Sequence, residues 1–379
     1  MQLSEQQLQI RDMARTFATR EMAPYVAQWD RDETVSITTL EAMGELGLMG
    51  VCIDPEWGGA GADFLSYILA VEEIAAADCG LCNVMSANNS PVCAAIQDYG
   101  SRAQKERFLT PLASGQQRGA ILLTEPQAGS DASNLRTRAE RRDDGYRLNG
   151  SKSFITAGQS AHVAMIVAVT DPAAGKRGIS CFLVPTDSPG YRVARLEHKL
   201  GHRTCDTCQI ELEDLVVPAE QRLGDEGEGY RIALAYLMEG RIGVAAQSVG
   251  MARTAFEAAR LYAEERETFG RPIADHQVIA FKLADMATQI EAARQLTFHA
   301  ARLKETGVRA LKEASMAKLY ASEMVERVTS AAIQIHGGYG YLNDFPLEKI
   351  YRDARVTQIY EGTSDIQKLL ISRAIRDEV

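Results

Sequence analysis

A chain of 379 residues with 41 lysines and arginines against 51 aspartates and glutamates carries a net charge of −10, which leaves no positive excess for broad binding to nucleic acid or an anionic membrane. Charged residues at 24% and hydrophobic ones at 46% are ordinary globular values, and the length suits two or three domains. No apolar run approaches the roughly 20 residues that span a bilayer, and the start, Met1-Gln2-Leu3-Ser4-Glu5-Gln6-Gln7, lacks the basic-then-apolar pattern of a secretory signal.

Residues 1–118 are expected to form an N-terminal helical domain. Apolar positions recur at helical spacing at Leu8, Met13 and Phe17, then through Leu65, Ile68, Leu69, Val71 and Ile74. Pro55-Glu56-Trp57-Gly58-Gly59-Ala60-Gly61 reads as a loop between two such helices. Residues 119–225 change period. Short β-rich runs at 120–123, 146–148, 152–156, 163–170, 179–185, 191–196 and 208–212 alternate with turn signals. Asp144-Gly145 and Asn149-Gly150 are tight-turn dipeptides. This predicts a middle antiparallel β-domain, barrel or sandwich. Residues 226–379 return to helical spacing at 242–259, 283–303, 317–335 and after Thr363, enough for a C-terminal four-helix bundle. The fold class is therefore α+β, mostly α.

Seven cysteines include two CxxC spacings, Cys79/Cys82 and Cys205/Cys208. Without knuckle-like glycines or nearby histidines they read as free thiols in a reducing compartment, with no metal site. No G-x-G-x-x-G follows a strand, there is no P-loop, and Gly129-Ser130 lies outside any nucleophile elbow.

Five segments carry possible chemistry. The loop 123–131, Leu123-Thr124-Glu125-Pro126-Gln127-Ala128-Gly129-Ser130-Asp131, offers hydroxyls and backbone N–H groups to a polar heterocycle or phosphate, or is a surface turn. Phe154-Ile155-Thr156 suits stacking and hydrogen-bonding against a ring, or ordinary strand packing. Arg266-Glu267-Thr268-Phe269-Gly270-Arg271-Pro272 interrupts the helices with an arginine suited to a pyrophosphate. Gln334-Ile335-His336-Gly337-Gly338-Tyr339-Gly340 ends a helix in two glycines where a C-cap needs one. Finally, Ile359-Tyr360-Glu361-Gly362-Thr363-Ser364-Asp365 sets a carboxylate among apolar neighbours, where burial raises its pKa towards that of a general base. Thr363 or Ser364 also serves as N-cap for the run that follows.

Together these motifs, in order and spanning nearly the whole chain, resemble the acyl-CoA dehydrogenase family. The resemblance rests on Thr124-Glu125-Pro126 with Ala128-Gly129-Ser130-Asp131, Arg266-x-Thr268-Phe269-Gly270, Gln334-x-x-Gly337-Gly338 and Ile359-Tyr360-Glu361-Gly362-Thr363-Ser364. It implies that Glu361 takes the α-proton of an acyl-CoA thioester while the β-hydrogen leaves as hydride to FAD. The oxyanion donors would be the Glu361 N–H and a flavin ribityl hydroxyl. It places Leu123, Thr124, Ser130, Phe154, Ile155 and Thr156 around the flavin, where many members have tryptophan in place of Phe154. Arg266, Phe269 and Gln277 match positions for the FAD diphosphate and adenosine; Gln334, Gly337 and Gly338 match positions reaching the same cofactor from a neighbouring subunit; Thr363, Ser364 and Asp365 would also touch FAD. Ser130, Arg241 and Gly362 match substrate-contacting positions, Arg241 near the CoA moiety.

Some members carry the base on the helix that here reads Glu239-Gly240-Arg241; glycine at 240 fits the C-terminal base, with Glu239 as the rival carboxylate. The family resemblance further implies a homotetramer, electron-transferring flavoprotein as acceptor, a short- or branched-chain acyl substrate, and a cytoplasmic location, or the mitochondrial matrix for a processed eukaryotic chain. Alternatives are an O₂-reactive flavin oxidase on the same fold and a non-catalytic CoA-binding or scaffold protein.

Overall fold

The computed structural model describes residues 2–308 and 310–377. Met1, at the head of the segment read for a leader, Arg309, and Glu378 and Val379 at the end of the expected bundle domain lie outside the described residues.

The chain opens with helices α1 (Glu5–Phe17), α2 (Val26–Asp32), α3 (Ile37–Glu45), α4 (Phe64–Ala77), α5 (Cys79–Ala87), α6 (Ala94–Tyr99), α7 (Arg102–Gln104) and α8 (Thr110–Ala113). Their starts are legible in side chains. Ser4 and Gln7 form a capping box on α1, and Asp63 and Asp78 accept the Ser66 and Leu81 N–H groups at the starts of α4 and α5. Residues 64 to 75 of α4 are all buried, most of them apolar, with Glu72 and Glu73 buried through ion pairs.

The middle region is one sheet of β1 (Gly119–Leu122), β2 (Arg138–Arg142), β3 (Gly145–Thr156), β4 (Val163–Val169), β5 (Ile179–Pro185), β6 (Tyr191–Leu196), β7 (Thr207–Pro218) and β8 (Arg222–Leu223). The order is β6-β7-β3-β2-β4-β5-β8, with β1 also beside β4. Pairing is antiparallel except between β1 and β4 and at the single Arg138–Val169 pairing. Two expectations are corrected. The runs 146–148 and 152–156 are one strand, β3, and Asn149-Gly150 makes a bulge where the register against β7 shifts, instead of a turn. β2 escapes the sequence pattern because only Ala139 of its five residues is buried. Asp144-Gly145 does mark a hairpin, with Arg142 opposite Gly145.

The C-terminal region holds α9 (Gly229–Glu265), the short ribbon β9 (Glu267–Thr268) and β10 (Arg271–Pro272), then α10 (Gln277–Glu305), α11 (Leu311–His336), α12 (Leu347–Ala354) and α13 (Ser364–Asp377). The four expected helices are present, with α12 in addition. Residues 241 to 252 of α9 are buried without interruption, so this helix is the axis of the assembly. One apolar core runs from α1, α4 and α5 into α9, α10, α11 and α12. Ion pairs stitch the same boundary: Glu73 receives Arg15 at 2.8 Å and Arg253 at 2.7 Å, and Glu72 receives Arg294 at 2.9 Å. A second joint is buried. Lys349 of α12 donates to Asp78 at 2.8 Å and to Asp353 at 2.6 Å; Asp78 also accepts the Thr204 hydroxyl, and Asp353 the His202 N–H, each at 2.6 Å. This fixes α12, and so the turn that leads to Glu361, against both other regions. Among the described residues no helix is long and apolar enough to cross a membrane. All seven cysteines are free thiols.

Candidate active site

Glu361 has φ +53°, a left-handed conformation that a residue with a side chain adopts at a cost and keeps only where its surroundings enforce it. Three anchors do so. Gln367 Nε2 donates to the carbonyls of Glu361 (3.1 Å) and Gly362 (2.8 Å), Lys318 Nζ donates to the Gly362 carbonyl (2.8 Å), and the Tyr360 hydroxyl donates to Gln247 Oε1 (2.6 Å). Thr363 Oγ1 meanwhile accepts the Ile366 N–H at 3.3 Å, so the segment does start a helix, and it does so without engaging the Glu361 carboxylate.

The carboxylate is held with unused capacity. Its Oε2 is buried and has no hydrogen-bond partner, and the Glu361 N–H makes no hydrogen bond among the described residues. Burial pushes the pKa up, and the nearby charges of Arg241 and Lys318 pull it partly back. Arg241 is buried with an unpartnered Nε, so burial lowers its pKa while Glu361 opposes the shift. The space for the carboxylate comes from Gly240: a Cβ there would stand 2.7 Å from Oε2 and 3.0 Å from Cδ. Glu239, one step along α9, is differently placed. Its two oxygens are taken by Ser90 Oγ at 3.0 Å and Lys304 Nζ at 3.1 Å.

A second group surrounds the end of β3. Lys152, fully buried, donates to the carbonyls of Leu123 (3.1 Å) and Val167 (2.7 Å) and to Glu125 Oε1 (2.8 Å). Glu125 also accepts the N–H groups of Arg136 (2.6 Å) and Thr137 (3.1 Å). Burial works against its charge, but Lys152 and these hydrogen bonds outweigh that and hold its pKa at about 2. The glutamate of Thr124-Glu125-Pro126 is thus a buried strut that ties the 123–131 loop to β3. The Ser153 N–H to Thr124 carbonyl bond, 2.9 Å, completes the tie. Beyond it the register of β3 slips between Lys152 and Ile155, and Phe154, at φ +58°, turns its ring outward and is 69% exposed while Ile155 is buried. Thr124 and Thr156 are half-buried with hydroxyls free of hydrogen bonds, and Ser130 is exposed on the loop.

The third group lies at the far end of the bundle. Arg266, Phe269, Gly337 and Gly338 line one cavity of about 670 Å³, with Tyr262 and His336 stacked in its wall. Arg266 is exposed and makes no ion pair among the described residues. Gly337 has φ +60° and ψ −134°, a conformation essentially confined to glycine, and nothing stands within 4 Å of where a Cβ at 337 or 338 would be, so backbone is open to the cavity. Gln277 begins α10 and is exposed. Gln334 faces a separate polar cavity of about 600 Å³, with Arg327 and Tyr351. Asp365 points to solvent, while Ser364 Oγ is buried without a partner.

Sequence reasoning missed Lys318, Lys152 and the strut function of Glu125. A signal for the first existed: Lys318 interrupts the buried stripe Ala314, Ala321, Val325, Val328 at helical spacing, and a lysine inside such a stripe needs a partner.

These donors suit FAD: an exposed aromatic face with free hydroxyls for a flavin, and an unpaired arginine beside open glycine backbone for a diphosphate. Comparisons agree. The chain matches the acyl-CoA dehydrogenase N-terminal domain over residues 4–116, the middle domain over 120–215 and the C-terminal domain over 227–376. The short-chain specific acyl-CoA dehydrogenase of Clostridium acetobutylicum is 43% identical over 374 residues, 98% of each chain. Butyryl-CoA dehydrogenase from Megasphaera elsdenii superposes with a TM-score of 0.97 at 42% identity, covering 99% of both chains. A chain in the structure described as electron transferring flavoprotein of Acidaminococcus fermentans superposes with a TM-score of 0.97 at 46% identity, again covering 99% of both. With all three regions matched in order, the chain belongs to the acyl-CoA dehydrogenase family and is an FAD-dependent flavoprotein oxidoreductase.

Proposed function

We propose that the enzyme dehydrogenates short linear or branched acyl-CoA thioesters between C2 and C3, with Glu361 as the α-proton base. The observation that carries this reading is the unpartnered, buried Oε2 of Glu361 in the space left by Gly240. A proton α to a thioester is a weak acid, so the base must be desolvated and the developing enolate oxygen must meet fixed donors. Glu361 supplies the first. Its free N–H, held in place by the anchors on the 360–362 turn, is suited to the second. Glu361 is a better base than Glu239, whose oxygens are occupied by Lys304 and Ser90. FAD, when bound, accepts the β-hydrogen as hydride, so the products are an enoyl-CoA and reduced cofactor.

Phe154, Thr124 and Thr156 would hold the flavin, and Arg266, Phe269, Gly337 and Gly338 the diphosphate and adenosine. On α9 the rise from residue 240 to residue 265, just before Arg266, is ~38 Å, at about 1.5 Å per residue. A dinucleotide anchored beside Glu361 therefore takes its second anchor from a neighbouring copy, and Arg266 and Phe269 come from that copy along with Gly337 and Gly338, since all four share one cavity. This supports a homo-oligomer, a tetramer by family likeness. The likeness to a chain in an electron transferring flavoprotein structure supports such a protein as the electron acceptor.

A panel of acyl-CoA thioesters of graded length and branching, read as kcat/KM with an artificial acceptor, tests the substrate assignment. The optimum is expected at short chains, consistent with the short-chain specific and butyryl-CoA relatives; an optimum at long chains would overturn it. Gly240→Ala is expected to displace the carboxylate and lower kcat/KM by up to ~10²-fold with little change in melting temperature; unchanged kinetics would mean that the carboxylate does not work where it stands. Arg266→Ala is expected to weaken FAD binding about 10–100-fold, the loss of one charge-assisted contact. Titration of apoprotein with FAD checks this, and an unaltered Kd would remove Arg266 from the diphosphate site.

A further inference from the structure

We propose that Lys318 is the positioning residue for Glu361: by gripping the Gly362 carbonyl it holds the 361–362 turn, and its charge sets the pH range in which the carboxylate works as a base. The inference rests on the reading of Glu361 as base and deepens it.

Lys318 is fully buried on α11, and its Nζ makes one hydrogen bond, to the Gly362 carbonyl at 2.8 Å. An ammonium carries three donors, and burying one with two unused is costly unless a negative charge stands near. The charge that faces it is Glu361, whose Oε2 is itself buried and unpartnered. Arg241 of α9 faces both groups, favouring the ionised Glu361 and disfavouring the charged Lys318. The Tyr360 phenol donates to Gln247, and among the described residues α13 contributes only the uncharged Gln367. Burial brings Lys318 down to about 8, with Glu361 opposing and Arg241 assisting, so its ammonium persists at neutral pH.

The two cations differ in function. Both favour the ionised Glu361, Arg241 the more strongly, but only Lys318 also hydrogen-bonds the 360–362 turn. The opposing influences on Glu361 also give the experiment its sign. Burial raises its pKa, and Arg241 and then Lys318 lower it. Removing the lysine charge therefore raises the pKa further, and the base is unprotonated only at higher pH.

The test uses FAD-loaded enzyme and an active short-chain acyl-CoA. Lys318→Met is expected to move the acid limb of the kcat/KM profile to higher pH by on the order of one unit, to lower kcat at pH 7 at least ~10-fold, and to leave KM nearly unchanged. Lys318→Arg, which keeps the charge, is expected to restore the acid limb even where its longer fork lowers kcat. The second readout is the infrared carboxylic acid band lost on Glu361→Gln; in Lys318→Met its titration midpoint moves upward with the kinetic limb. If Lys318→Met does not fold, Lys318→Gln carries the same comparison. An acid limb and carboxyl band that stay at the wild-type pH in a folded, charge-removed variant would overturn the proposal. Failure of the underlying reading looks different: wild-type enzyme and Glu361→Gln would turn over acyl-CoA alike.

Discussion

Glu361→Gln is expected to leave the fold and FAD binding intact while lowering turnover by at least ~10²–10⁴-fold, the range assigned to a positioned general base. The amide has the shape of the carboxylate and fits the space that Gly240 leaves, so packing is preserved. The anchors on the turn act on backbone carbonyls and on Tyr360, not on the Glu361 side chain, so the backbone is preserved as well. What is lost is the basicity of the carboxylate, since an amide oxygen is too weak a base to take the proton. Steady-state turnover beside the flavin spectrum of the same preparation separates the two effects. Turnover near wild type would move the base elsewhere, first to Glu239, which would then have to give up Lys304 and Ser90.

Lys152→Met is expected to destabilise the enzyme by about 3–5 kcal/mol, because it leaves the Glu125 carboxylate buried without its counter-charge. On the proposed placement of the flavin, the same substitution is also expected to free the 123–131 loop and weaken flavin retention. Lys152→Met with Glu125→Gln is expected to recover a large part of the stability, since no uncompensated charge then remains. The pH dependence has a definite sign. The folded pKa of Glu125 is about 2, below its ordinary 4.5, so its contribution is complete above pH 4.5 and is lost as the pH falls from there towards 2. Urea unfolding of wild type, single and double variants between pH 3 and pH 7 reads both effects. Equal stability of the single variant and wild type at pH 7 would show that the pair does not hold the loop.

The main divisions of the fold were legible because each has its own period. Helical positions such as Met286, Ile290, Ala293 and Ala300 and the continuous apolar run of β4 report burial directly, and the side-chain caps at Ser4 and Asp63 report helix starts. What the sequence hid were features decided by partners far along the chain. Asn149-Gly150 has the chemistry of a turn, but β7 pairs with both sides of it and makes it a bulge. β2 exists because β3 offers it an antiparallel edge, not because Arg138-Ala139-Glu140-Arg141-Arg142 is strand-like alone. Glu125 and Lys152 lie 27 positions apart, and neither announces the other. In the site, Glu361 stood out through its apolar neighbours and its glycine. Its orphaned Oε2 and the grip of Lys318 follow from helix packing that no local pattern encodes.

The most direct measurement is exchange of the methyl hydrogens of acetyl-CoA with D₂O, followed by mass spectrometry in the presence of FAD-loaded enzyme. Acetyl-CoA has α-hydrogens but no β-carbon, so exchange isolates proton removal from oxidation. Wild-type enzyme should incorporate deuterium, and Glu361→Gln should incorporate it no faster than buffer alone. Equal incorporation by the two would contradict the assignment of Glu361 as the base.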